Sequence, residues 1–164
     1  MEEITAQEMF KARELLEEAG ATLLGKILFE FTRLDMCLGL CLVWVDSGHR
    51  LDALTKNVQD ETFHQRLKRL KESVSARLTE GSGGYSAYSN WIQNADNARA
   101  KRNDLFHGRW AVDAMGAKLI NILGLPTSNN SVETKYGLSD LQNFIEELKL
   151  LQTDLNKYGK IWPL

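Results

Sequence analysis

Cysteine is scarce: Cys37 and Cys41 are the only two in 164 residues. They stand one helical turn apart, where side chains of a single helix do not meet disulfide geometry. Free thiols in a reducing cytoplasm follow. The three histidines, His49, His64 and His107, show no ligand spacing, and neither cysteine completes a metal set with them. No metal and no cofactor is expected. Neither cysteine has a base near it in sequence, which argues against a Cys nucleophile. Long apolar runs are missing too. The most hydrophobic window, Met36 to Val45, is about half a membrane span and follows directly on Asp35, so it reads as a buried helix. The first residues, M-E-E-I-T, hold neither the basic start nor the apolar run of a secretory signal. Glu80-Gly-Ser-Gly-Gly84 lacks the lysine and hydroxyl of a phosphate loop and reads as a flexible connector. A formal net charge of −2 gives no global pull towards nucleic acid.

What is present is a balance of 43% hydrophobic and 26% charged residues, which at this length supports a single soluble domain over residues 1–164. The charges are unevenly placed. Glu2, Glu3, Glu8, Glu14, Glu17 and Glu18 make the start acidic. Arg66, Lys68, Arg69, Lys71 and Arg77 cluster on one later segment, and Arg99, Lys101, Arg102 and Arg109 on another. Packed together, those two segments would give a basic face on an acidic protein; taken separately, they are ordinary solvated helix faces.

Helix signals dominate the chain. Thr5 and Glu8 form a capping box, with Ile4 and Met9 at the spacing of a hydrophobic staple. Apolar residues then recur every three or four positions to Val45, and Gly20 and Gly25 stand where this run would bend or split. The Met36–Val45 end is apolar on all sides, so it should be enclosed by other helices or by a partner chain. Thr62 and Gln65 cap a second helix with Phe63, Leu67, Leu70 and Val74 on one stripe. A third runs from about Ala87 to His107 on Trp91, Ala95, Ala98 and Leu105. Arg109 to Asp113 and Lys118 to Leu123 alternate as a short hairpin, and residues 124–137 read as a loop. Ser139 and Gln142 open the last helix, and Gly159 closes it. The expected architecture is all-α, a bundle of four to five helices with a small β-hairpin before the last.

The chemistry gathers in R-A-K-R-N-D-L-F-H-G-R-W, Arg99 to Trp110. Arg102 falls in the inward stripe of the third helix, where a charge needs a partner. Asn103 and His107 are four apart and share a neighbouring face. Gly108 is placed to end the helix in the left-handed conformation. An arginine and a histidine at this spacing mean little alone. Their position at a helix end, with Asn after the arginine and Gly after the histidine, carries the weight.

This combination resembles the HEPN superfamily of small helical domains, whose hallmark is Arg, then four to six residues of which the first is commonly Asn, His or Asp, then His, at the end of the third main helix. Arg102-Asn103-Asp-Leu-Phe-His107 matches that pattern, and about ten residues carry the specific likeness. The resemblance implies a metal-independent endoribonuclease acting as a homodimer, in a toxin–antitoxin or phage-defence role in the cytoplasm. An antitoxin or nucleotidyltransferase is its implied partner.

The residues suit that chemistry on their own terms. A histidine exchanges protons near neutral pH, a guanidinium fork fits phosphoryl oxygens, and Asn103 can orient either. Two proton transfers need two histidines, which a two-fold dimer would supply. Attack by a 2′-OH restricts the substrate to RNA. Arg102, Asn103 and His107 are thus the catalytic candidates, with Arg99, Lys101, Arg109, Arg66 and Arg69 as RNA contacts. The alternative is a non-catalytic HEPN-like module in which Arg102 pairs with Asp35 or Glu30 and His107 merely caps a helix.

Overall fold

Helix starts are the most directly encoded elements of this chain. In the computed structural model, which describes residues 5–164, Thr5 N donates to Glu8 Oε2 at 2.9 Å and Glu8 N donates back to Thr5 Oγ1 at 3.3 Å. This capping box opens helix α1, Ala6–Val43. Ile4 of the expected staple, with Glu2 and Glu3, lies outside the described residues. Thr62 and Gln65 close the same reciprocal pair at the start of α3, Phe63–Arg77. A short helix, α2, Leu51–Val58, precedes it. Then come α4, Gly83–His107, three strands, and α5, Leu138–Ile161.

Four expectations are corrected. Neither Gly20 nor Gly25 breaks α1, which runs 38 residues without interruption. A Cβ at Gly20 would lie 2.5 Å from Leu119 Cδ1, so the glycine admits a strand side chain against the helix. The connector before α4 is shorter than expected, because Gly83 and Gly84 are already helical. Gly84 lets Trp162 approach, where a Cβ would stand 2.8 Å from the indole Cγ. Gly159 lies inside α5 instead of closing it. That helix is opened by Asp140, whose Oδ2 accepts from Gly137 N at 2.6 Å, and not by Ser139.

The largest correction is in the sheet. Strands β1, Arg109–Asp113, and β2, Lys118–Leu123, form the expected hairpin. A third strand, β3, Val132–Tyr136, pairs antiparallel with β2 from Leu119↔Tyr136 to Leu123↔Val132. Val-Glu-Thr-Lys-Tyr alternates β-formers with charged residues. Four of its five residues are exposed, so no hydrophobic stripe marked it as a strand. The fold is therefore mostly helical, with five helices and a three-stranded antiparallel sheet ordered β1-β2-β3.

The chain divides into two compact units. One contains the chain up to Phe29 together with Arg102–Glu146, hence the sheet and the end of α4. Its buried residues include Ile27, Leu105, Leu119, Leu141 and Phe144. The other contains Glu30–Lys101 and Glu147–Leu164, with Leu38, Leu70, Trp91, Ala95 and Leu148 buried. There the Trp91 indole N–H donates to Leu151 O at 2.8 Å, which satisfies a polar atom inside the apolar stripe. The Met36–Val45 segment is not enclosed all round: Leu38 and Leu42 are buried, while Met36, Leu40 and Trp44 are about half exposed. No helix among the described residues is long and apolar enough to cross a membrane.

Candidate functional site

The sequence of α4 carries its apolar stripe through Trp91, Ala95, Ala98 and Leu105, all buried. Arg102 follows that stripe with its stem, and its Nε is buried. Its guanidinium donates through Nη1 to Asn103 Oδ1 at 3.1 Å and lies over the Phe106 ring, 5.5 Å from the centroid. Two restraints thus orient one planar fork. Because Asn103 accepts through its oxygen, its amide N–H groups remain the donors it can turn to a phosphate. His107 is exposed and, among the described residues, makes no hydrogen bond or ion pair. Arg102 and Asn103 are brought into contact; His107 stands at the last residue of the same helix.

How that helix end is held differs from expectation. The glycines with positive φ are Gly48, Gly81 and Gly124, so Gly108 does not stop α4 through a left-handed turn. It is required for space. A Cβ there would lie 2.6 Å from Asn121 Cγ and nearer still to the amide atoms. Asn121 is 1% exposed, on β2 opposite Trp110. Its amide donates to Leu105 O at 3.5 Å, and the Trp110 indole N–H donates to the same carbonyl at 3.0 Å. A helix end leaves carbonyls without intrahelical donors; here two side chains from the hairpin supply them. Asn121 was missed in sequence. Its signal was an amide at an inward position of the strand Lys-Leu-Ile-Asn-Ile-Leu. Tyr136 packs on Trp110, ring centroids 5.8 Å apart. Burial first, then Asp104 and Asp140, push its phenol upward, so it keeps its proton at neutral pH.

The arginines proposed to contact RNA divide sharply. Arg66 donates to Asp35 Oδ1 at 2.7 Å and to the carbonyls of Val58 and Gln59, with its side chain 13% exposed. It ties α1, α2 and α3 together and is not displayed to a ligand. Arg66→Ala should cost about 3 kcal/mol, since it strips a charge and several carbonyls of their donor. A fall in Tm of roughly 6–12 °C would report it. Arg69 is committed to Glu61 through a forked ion pair. Arg99 pairs with Asp96 at 2.7 Å, and Lys101 with Glu147 at 3.8 Å. Arg109 is exposed at the start of β1. Of the carboxylates considered for Arg102, Asp35 pairs with Arg66, and Glu30 with Arg33 and Gln152.

The thiols are poor nucleophiles. Burial, reinforced by Cys37, pushes Cys41 up to about 11, and burial raises Cys37 as well. At pH 8 only about one Cys41 in a thousand would be thiolate. Alkylation by iodoacetamide, followed by mass spectrometry, should therefore proceed at least about 100-fold more slowly at Cys41 than at a free thiol. Among the described residues, no group of three or more His, Cys, Asp and Glu side chains is placed to hold a metal ion. No family model, curated protein or solved structure matches this chain.

Proposed function

We propose that this chain is a HEPN-like, metal-independent endoribonuclease, with Arg102, Asn103 and His107 as its catalytic residues. The observation that carries this reading is the end of α4: a guanidinium held by Asn103 and stacked on Phe106, with an exposed imidazole at the helix terminus.

Cleavage proceeds by attack of the RNA 2′-oxygen on the adjacent phosphorus. His107 of one protomer removes the 2′-OH proton, and His107 of a second copy protonates the departing 5′-oxygen. The fixed fork of Arg102 meets the charge that grows on the phosphoryl oxygens, and the Asn103 amide holds the phosphate in register. The products are a 2′,3′-cyclic phosphate and a 5′-hydroxyl. A toxin or phage-defence effector, restrained by an antitoxin or nucleotidyltransferase, is the role such an activity fits. Incubating purified protein with RNA in EDTA and identifying the product ends tests it. Cyclic phosphate termini are expected, and an absence of cleavage or a 3′-hydroxyl product would refute the reading.

A second reading, a non-catalytic interaction module, rests on the first turns of α1 and the hairpin tip. There Phe10 (61%) and Met115 (81%) are exposed and line one cleft with Met9, Arg13 and Asp113. Such a surface would dock a partner whether or not the helix end is active.

A further inference from the structure

Helices α3 and α4 face each other in antiparallel sense within a single unit. At one end His64 Nδ1 lies 3.5 Å from Asp96 Oδ1, which also accepts from Arg99 Nε at 2.7 Å. At the other end a cleft of about 270 Å³ is lined by Lys71 and Ser75 from α3 and by Tyr85, Ser89 and Gln93 from α4. Lys68 occupies the turn of α3 between them. His64, Lys68, Lys71 and Ser75 are spaced four, three and four apart, so they share one face. Lys68 and Lys71 are exposed, and among the described residues neither forms an ion pair. Of the neighbouring acids, Asp96 is engaged by Arg99 and His64, while Glu72 is exposed on the adjoining face of α3.

We infer that this α3–α4 furrow binds the backbone of single-stranded RNA. One wall offers cationic or protonatable groups about one per helical turn, and the facing wall offers hydroxyls and an amide. Tyr85 at the end supplies a face for a base. Cations tracking the backbone with an aromatic platform are what sequence-tolerant single-strand binding requires. The inference takes its substrate class from the function proposed above, but binding here does not require cleavage. It also relocates the basic contacts: Lys68 and Lys71 point into service where Arg66 and Arg69 are held by the fold.

The test is fluorescence anisotropy with a labelled, unstructured RNA oligonucleotide of about 20 nucleotides, over a range of salt. The protein is the His107→Ala variant, so that the probe stays intact. In that background Lys68→Glu with Lys71→Glu should weaken binding at least tenfold at low salt. The slope of log affinity against log salt should fall by about 1.4, at about 0.7 per phosphate contact. Lys68→Arg with Lys71→Arg should bind as the parent does, and Tyr85→Ala should lose several-fold. Lys157→Glu with Lys160→Glu, on exposed positions of α5, changes net charge equally and should weaken binding less than threefold. Equal weakening by the two reversal pairs, or no binding by the parent, overturns the inference. Binding that follows this pattern in a protein whose wild type cuts no RNA upholds the furrow and refutes only the catalytic reading.

Discussion

Replacing His107 by alanine should lower the rate of RNA cleavage by about 10²–10⁴-fold, the usual contribution of a positioned proton-transfer group. Stability should barely change, because the side chain is exposed and makes no hydrogen bond or ion pair among the described residues. A shift in Tm beyond about 3 °C would mark the residue as structural instead. Arg102→Lys separates charge from shape at the same site. Lysine keeps the positive charge but loses the planar fork that reaches Asn103 and stacks on Phe106, so cleavage should fall about 10²–10³-fold. The proposed sharing of the site between two protomers has its own signature. If it holds, each dimer formed by mixing wild type with His107→Ala would have one imidazole where two proton transfers are needed. Activity should then fall faster than the fraction of wild-type chains. A strictly proportional decline would rule out a site shared between protomers, and unchanged cleavage by His107→Ala would end the catalytic assignment.

Gly108→Ala should destabilise the fold by about 1–3 kcal/mol, a fall in Tm of roughly 2–12 °C. One methyl group is enough, because the space it would fill is held by the Asn121 amide. Relief requires Asn121 to move, and moving it removes a donor from the Leu105 carbonyl at the end of α4. Arg102 to His107 then lose the anchor that sets their helix end, so cleavage should fall with stability. The double variant distinguishes crowding from backbone preference. Asn121→Ala alone loses a buried amide and its hydrogen bond; in that background Gly108→Ala has room, and its added cost should shrink to a few tenths of a kcal/mol. Additive costs would show that the glycine is needed for its backbone and not for its neighbour.

Several features could be read directly from the chain because they depend on neighbours in sequence. The Thr5–Glu8 and Thr62–Gln65 capping boxes, the stripe of α4 and the β1–β2 hairpin all formed where expected. Each is a local hydrogen-bond or periodicity pattern spanning a few residues. β3 was illegible because an exposed edge strand carries no hydrophobic alternation. Gly20, Gly84 and Gly108 were misread as conformational breaks, since a glycine chosen for space looks in sequence like one chosen for φ. Only the opposing side chains Leu119, Trp162 and Asn121 tell the two apart.

The candidate site divides in the same way. That Arg102, Asn103 and His107 would lie at one helix end follows from their spacing and from where α4 stops. Whether a given arginine is available depends on which carboxylates and carbonyls the fold brings to it. Arg66 and Arg69 are consumed by Asp35, Val58, Gln59 and Glu61, while Lys68 and Lys71, between and beside them, are left on the exposed face of α3. Charge is written in the sequence. Its assignment to cohesion or to ligand is made by partners distant along the chain, because an ion pair or a buried hydrogen bond exists only once tertiary packing has brought both halves within about 3 Å.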